Sequence, residues 1–392
     1  MSFPASVPVP EEVLEIARVL EGAGHEAWCV GGALRDALLG DPHSDFDLAT
    51  SAHPEDVRRL FRRTAPVGME HGTVGVIDRK RVMHEVTTFR RDVRTDGRHA
   101  VVEYGASLDE DLARRDFTIN ALAYHPLRHE WKDPFGGAAD LAGGIIRAVG
   151  DPEARFREDY LRILRALRFS ARFGFAIEPA TWRAAQALAG GLEGLSAERV
   201  RDEWFKGLET ARSAARLVAL WQESGAAAVW LPELRPGYPL ADDDPRPRDP
   251  VLLTAALCES PAGVFARLRA SNLEIARGAA AATGPPAPAS DAREDVRRWL
   301  AATGAAAEDL LQLDAWRRGA PAPWRATVES VRAAGEPVAR GALAVSGDDL
   351  LAAGVARGPE IGRLLDRLLD AVLADPALNS RERLLALVAS WR

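Results

Sequence analysis

The chain has 392 residues, 47% of them apolar and 27% charged, with a formal net charge of −7. That length suggests two to four domains of roughly 150 residues, and the acidic balance excludes a protein that coats nucleic acid by bulk charge, though not one with a local basic groove. No run of about 18 apolar residues occurs, so no membrane span is expected. The N-terminus has no basic region leading into an apolar core, so no secretory signal is expected either.

In chain order, the spacing of Val13, Ile16, Ala17 and Leu20 predicts a helix over 11–24, ending at Gly24. "AWCVGGALRDALLG" predicts a short apolar strand, a Gly-Gly turn and an amphipathic helix. The next strand carries "HSDFDLAT", with Asp45 and Asp47 two positions apart and therefore on one face of an extended chain. Carboxylates so placed repel unless a divalent cation lies between them; for an isolated pair the other reading is a polar strand end. "SAHPEDVRRLF" predicts a helix with acids in its first turn. "GTVGVID" and "RVMHEVTTF" alternate like paired strands, and the polar "RRDVRTDGRH" reads as a loop. In "LARRDFTINALAY", Arg114, Arg115, Asp116 and Asn120 precede or start a predicted helix. From Asp151 onward strand signals nearly vanish and Ala/Leu/Arg stretches of helical spacing take over. Proline-rich breaks at 235–250 and 283–290 predict loops or domain joints. The expected fold class is α+β, a mixed α/β head ending near Gly150 followed by an all-helical arm.

Four patches carry chemistry. Glycines at 31 and 32, between strand and helix, let backbone N–H groups approach a phosphate, and the helix start adds positive potential. Arg35, one turn on, points at the same anion; the alternative is a tight turn with a surface arginine. Glu85, on a neighbouring strand, would complete the aspartate pair as a site for two Mg²⁺ ions, which lower the pKa of an attacking hydroxyl and stabilise a leaving pyrophosphate; alone it is a strand-surface acid. The third patch holds Arg114, Arg115, Asp116 and Asn120, suited to a triphosphate or ribose, or simply to a solvated helix end with a local Asn cap. In the fourth, "RFREDYLRILRALRFSARFGF", Arg162, Arg165, Arg168 and Arg172 share one helical arc, and Ile163, Leu164, Ala166, Leu167 and Ala171 the other. The arginine arc either pairs with acids such as Glu158 and Asp159 or faces an anion beside the carboxylate site. All eight histidines lie at or before His129, so the rest of the chain has no imidazole to offer a metal or a general base. Cys29 and Cys258 read as buried free thiols.

Together, "VGGALRDALLG", "SDFDLAT", "EVTTFR", "DEDLARRDFTINALAY", "DPFGGAADLAGGIIRAVGDP" and "REDYLRILRALRFSARFGF" resemble, in order and spacing, the bacterial CCA-adding enzymes. These are class II tRNA nucleotidyltransferases that share an ancestor with bacterial poly(A) polymerases. The likeness is close through about Leu234. "SAERVRDEWFKGLET" and "GAAAVWLPEL" resemble the family's body region, "VSGDDLLAAGVARGPEIGRLLDRLLDAVL" resembles its tail, and 236–340 matches only in general character. The resemblance implies a nucleotidyltransferase head over 1–150, a helical neck and start of the body over 151–235, a helical body over 236–340 and a tRNA-binding tail over 341–392. It implies template-independent addition of CCA to the tRNA 3′ end from CTP and ATP with Mg²⁺, in the cytoplasm, with no DNA or membrane partner. Carried over by position, Asp45 and Asp47 are the metal ligands and catalytic carboxylates, with Glu85 as the third. Gly32 and Arg35 contact the triphosphate, and Arg115 and Asn120 help hold the nucleotide. Asp159 and Arg162 form the base-reading pair, with Arg165 and Arg168 beside it.

The segment "RRDVRTDGRHAVVEYGASLDEDLA" is nearly full length, which weighs against relatives that add only CC. Arg98-His99-Ala100 departs from the Arg-Arg-Pro-like step of many full CCA-adding relatives and leaves an A-adding enzyme open. A poly(A) polymerase and a catalytically silent RNA-binding module on the same scaffold are further alternatives. A C-terminal metal-dependent phosphohydrolase domain, which some relatives carry, needs a His-Asp pair, and none is expected here.

Overall fold

The computed structural model describes residues 3–41, 46–68, 72–95, 100–235 and 247–391. Asp45, Arg98, His99 and most of the first proline-rich break lie outside the described residues. The fold is α+β: a sheet-containing head followed by helices. The chain divides into two compact units, Met1–Pro232 and Glu233–Arg392.

The first unit opens with α1 (Glu11–Gly22), whose leading glutamates sit at its positive end and whose Val13, Ile16, Ala17 and Leu20 are buried. Then come β1 (Ala27–Val30), α2 (Gly32–Leu38), β2 (Asp47–Thr50), α3 (Pro54–Leu60), β3 (Thr64–Ala65), β4 (Thr73–Ile77) and β5 (Met83–Thr88). Two later strands, β8 (Ala123–His125) and β9 (Glu130–Lys132), complete a sheet of order β3-β4-β5-β2-β1-β8-β9. Only the β2–β5 pairing is parallel within this sheet; the other neighbours are antiparallel. Trp28, Val30, Ala49 and Phe89 pack on one face against Leu108, Leu112 and Ala121. Asp47 continues that face at the start of β2, where the apolar cover ends and the residue is exposed.

Two sequence expectations are corrected here. The polar stretch after β5, read as a loop, is β6 (Arg90–Thr95), paired antiparallel with β7 (Ala100–Tyr104) as a separate two-stranded ribbon. A ribbon apart from the main sheet needs no apolar face, so charged residues carry no local signal against it. The helix expected to start around "RRDFTINALAY" is instead a single 3₁₀ turn, Thr118–Asn120, running into β8. Backbone pairing of β8 with β1 overrides the local pattern. Before that turn lies α4 (Leu108–Ala113), opened by a reciprocal cap between Ser107 and Glu110. After β9 come α5 (Gly137–Gly143) and β10 (Ile145–Ile146), the latter pairing in parallel with β11 (Ala176–Ile177).

Helices α6 (Pro152–Glu158) and α7 (Leu161–Phe173) meet at Asp159 and Tyr160. In α7, Ile163, Leu164, Ala166, Leu167 and Ala171 are buried as the spacing predicts, and the helix stops at Gly174, which takes the left-handed conformation (φ 72°). α8 (Pro179–Ala187), α9 (Ala197–Thr210), α10 (Ala214–Glu223) and α11 (Ala226–Trp230) follow, with Trp204 of α9 and Trp221 of α10 in edge contact inside the core.

The second unit is helical among its described residues: α12 (Pro250–Leu257), α13 (Pro261–Arg267), α14 (Asn272–Thr283), α15 (Arg293–Thr303), α16 (Ala307–Arg318), α17 (Arg325–Ala333), α18 (Gly347–Ala352), α19 (Pro359–Ala374) and α20 (Arg381–Trp391). The break at 283–290 is the irregular link between α14 and α15. One core gathers Val296, Trp299, Leu310, Trp324 and Val328; a second gathers Leu350, Leu364, Leu368, Val372 and Leu384. Arg297 ties them together. It is buried, and donates to the carbonyls of Leu373 (2.7 Å) and Ala374 (3.1 Å) at the end of α19 and to Glu336 (2.7 Å). Cys29 and Cys258 are free and buried, and burial pushes the Cys258 thiol up to about 12. No helix among the described residues is long and apolar enough to cross a membrane.

Candidate active site

A cavity of about 530 Å³ opens in the first unit between the β1–α2 turn, the start of β2, the segment after α4, and the helices α7 and α9. Its wall contains Gly31, Gly32, Arg35, Asp47, Arg115, Asn120, Asp159, Arg162, Arg165 and Arg168, so sequence-predicted residues spread over 138 positions converge on one space.

The turn at its edge is built on glycine. Gly31 has φ 79° and ψ −138°, a conformation that residues with a Cβ rarely adopt, and a Cβ there would stand 3.0 Å from Nη1 of Arg115. A Cβ on Gly32 would stand 3.3 Å from Nη2 of Arg35. Two guanidinium groups thus lie directly behind this backbone. Arg35 is not a surface arginine: it is 4% exposed, donates to Asn120 Oδ1 (2.6 Å) and Asp36 Oδ1 (2.8 Å), and lies over the rings of Phe169 and Phe173. Burial lowers its pKa, and the adjacent Asp36 opposes that shift.

Asn120 and Asp116 form the floor. Asp116 accepts from its neighbour Phe117 N–H (2.8 Å), from Asn120 Nδ2 (2.9 Å) and from Arg165 Nε (2.7 Å). Burial alone would raise this carboxyl; Arg165 and the two further donors outweigh it and hold it at about 2. The same pairing raises Arg165. Arg114 and Arg115 both turn to Asp111 (2.9 and 3.3 Å), which is buried yet held below the usual carboxylate range by the two guanidiniums. Nε of Arg115 is buried with no hydrogen-bond partner among the described residues.

Along α7 the arginine arc faces the cavity. Arg162 donates through Nη1 to Glu158 (2.6 Å) and the Arg155 carbonyl (3.0 Å), and through Nη2 to the Arg114 carbonyl (3.0 Å). Arg168 pairs with Glu203 (2.6 Å), and Arg172 with Asp36 (3.2 Å). Asp159 accepts from Leu161 N–H (3.0 Å) at the start of α7 and from Arg199 of α9 (2.7 Å). The acid available to Arg162 is therefore Glu158, while Asp159 has a partner from a distant helix. The sequence reading missed Arg199, whose only local signal is that it is one of two arginines in "SAERVRDEW".

Glu85 is exposed and does not line the cavity. The parallel register Leu48↔Val86 nonetheless sets it beside Asp47 on the same face of the sheet. These two residues offer carboxylate oxygens, the donor type that suits a hard divalent cation. No group of three or more metal-binding side chains stands together among the described residues; Asp45 is outside them.

Residues 27–147 match the family model of the poly A polymerase head domain, and residues 174–237 match a probable RNA and SrmB-binding site of polymerase A. The chain is similar to the CCA-adding enzyme of Anoxybacillus flavithermus, 45% identical over 225 residues that cover 57% of this chain and 56% of that one. To the CCA-adding enzyme of Leuconostoc mesenteroides it is 49% identical over 205 residues, half of each chain. These matches span about half the length of the curated relatives. The crystal structure of the Bacillus stearothermophilus CCA-adding enzyme in complex with CTP superposes with a TM-score of 0.82 at 35% identity, covering 97% of this chain and 96% of that one.

Proposed function

The chain belongs to the CCA-adding enzyme family, and from that premise we propose that it adds CCA to the 3′ end of tRNA from CTP and ATP without a nucleic-acid template. The observation that carries this reading is the single cavity in which Asp47, the Gly31-Gly32 turn and the Asp159–Arg162 segment meet.

Nucleotide choice follows from hydrogen-bonding capacity. Cytosine and adenine each present an amino donor beside a ring-nitrogen acceptor. Ionised Asp159 only accepts and Arg162 only donates, so the pair complements both. Uracil and guanine reverse the pattern and leave desolvated groups unpaired, at about 1–3 kcal/mol each. With Nη1 and part of Nη2 already engaged, Arg162 has Nε–H and one Nη2–H left to donate, and the carbonyls it grips fix the direction of its plane. The triphosphate lies against Gly31 and Gly32, where Arg35 and Arg115 supply positive charge from behind the backbone. Asp47 and Glu85, with Asp45 as carried over from the family, would hold Mg²⁺, which when bound acidifies the attacking 3′-hydroxyl and offsets charge on the departing pyrophosphate. Arg165 and Arg168 keep the base-reading end of α7 in place through Asp116 and Glu203. We assign 1–150 to the catalytic head, 151–235 to the neck, 236–340 to the body and 341–392 to a tRNA-gripping tail. The tail would recognise tRNA by shape and phosphates, and two distant buried free thiols support a cytoplasmic setting.

The test supplies tRNA transcripts ending at the discriminator base, at C or at CC, with each labelled NTP and Mg²⁺. Label from CTP and then ATP is the expected result. ATP incorporation only onto the CC end would instead identify an A-adding enzyme, long A tails on unrelated RNA a poly(A) polymerase, and no incorporation a binding module.

A further inference from the structure

Resting on the reading of Asp159 as the acceptor for the incoming base, we propose that Arg199 is a positioning residue for nucleotide choice, fixing the direction of the Asp159 carboxylate from the neighbouring helix α9. Asp159 lies in the joint between α6 and α7 with extended backbone (φ −155°, ψ 106°), so no helical turn constrains its side chain. Two donors do so instead. Leu161 N–H holds one oxygen at 3.0 Å and Arg199 Nη2 holds the other at 2.7 Å. Each oxygen keeps a second lone pair for a ligand.

The support is built into α9. Glu203 lies one turn beyond Arg199, on the same face, and accepts from Arg168 Nε at 2.6 Å. A cation and then an anion on α9 thus meet an anion in the joint before α7 and then a cation on the cavity side of α7. The Arg199 and Asp159 side chains are 37% and 28% exposed. A pair that open to water adds little to stability, so its consequence is orientation. Released from Arg199, the carboxylate is drawn toward Arg162 and Arg165 on the same wall. Acceptor and donor of the reading pair then satisfy each other, and neither is left for the base.

The experiment measures kcat/KM for CTP, ATP, UTP and GTP on a discriminator-ended or CC-ended transcript with wild type, Arg199→Ala, Arg199→Lys and Asp159→Ala. In Arg199→Ala the CTP-to-UTP ratio falls about tenfold, the scale of one lost hydrogen bond to a charged group. The loss resides mainly in KM for CTP. Arg199→Lys, which keeps a cationic donor, recovers part of the ratio, and Asp159→Ala marks the full loss. Should Arg199→Ala not fold, Arg199→Gln keeps most of the stem and gives the same reading. A ratio within twofold of wild type, or an equal fall for all four nucleotides, overturns the proposal. Wild-type protein that adds no nucleotide to any transcript overturns the functional reading as well, which separates the two failures.

Discussion

Replacing Asp116 by asparagine tests whether the cavity floor is held by charge. Asp116 is 8% exposed and takes hydrogen bonds on both oxygens. Asparagine has one acceptor oxygen, so whichever way its amide turns, an NH₂ group faces either Arg165 or the Phe117 and Asn120 donors. Lowering the carboxyl from 3.8 to about 2 corresponds to roughly 2 kcal/mol of native-state preference for the ionised form. Removing one partner of a buried pair costs about 3–5 kcal/mol, but Arg165 is 34% exposed and water recovers part of that. The expected loss is therefore about 2–3 kcal/mol at pH 7. Because the folded pKa is depressed, the stabilisation is complete above the unfolded value of 3.8 and disappears as pH falls toward 2. The gap between wild type and variant should be the same at pH 7 and pH 5, then narrow below pH 4. Hydrogen exchange of peptides covering 114–120 and 161–173, read against urea at each pH, reports this unit separately from the second. A gap under about 0.5 kcal/mol at pH 7, within the range of ordinary surface changes, or a gap that persists unchanged at pH 3, refutes the reasoning.

Asp47→Ala should abolish incorporation of every nucleotide while leaving the circular dichroism melt within about 2 °C of wild type, since the residue is exposed beyond the apolar face; retained incorporation at a tenth of wild type or more would remove it from the chemistry. Gly191→Ala would place a Cβ 2.1 Å from the ring of Tyr160, the residue between Asp159 and Leu161. The displaced ring should raise KM for both CTP and ATP several-fold, measurable by steady-state kinetics, with overpacking of about 1–3 kcal/mol in a melt. Arg297→Ala would leave the Leu373 and Ala374 carbonyls and Glu336 without this donor, and urea unfolding of the second unit, followed by peptide-resolved exchange, should show a loss of about 2–3 kcal/mol.

The legible parts of this molecule are those set by short-range periodicity. Helix α7 could be read to its two faces because a 3.6-residue repeat separates its arginines from its leucines; β1 and α2 flank the Gly-Gly turn, and β4 and β5 carried the alternation of paired strands. The ribbon β6–β7 could not be read because, apart from the main sheet, it needs no apolar face, and the turn at Thr118–Asn120 could not because the strand it runs into finds its partner elsewhere in the chain. β8 is a strand by virtue of β1, more than ninety residues earlier. The same limit applies at the site. Much of the cavity lining was accessible from motif order, though Arg199 was not and Glu85 does not line it; which acid each arginine meets was not accessible. Glu158 and Asp159 adjoin in sequence and yet meet arginines on different helices, Arg162 of α7 and Arg199 of α9, because extended backbone at Asp159 turns its side chain toward α9.

That pairing pattern also bears on how the proposed triphosphate site could work in an acidic protein. Among the described residues, eight arginines line the cavity, and six carboxylates accept from them. Asp36 is shared by Arg35 and Arg172, Asp111 by Arg114 and Arg115, and Glu158 by Arg162 and Arg155, while Arg165, Arg168 and Arg199 each have an acid of their own as closest partner. Arg35 and Arg115, each sharing its acid with another arginine, are the two that stand behind Gly32 and Gly31, where backbone can approach an anion most closely. A net charge of −7 over the whole chain does not bear on binding at this range, because screening in water confines the field that matters to about 10 Å.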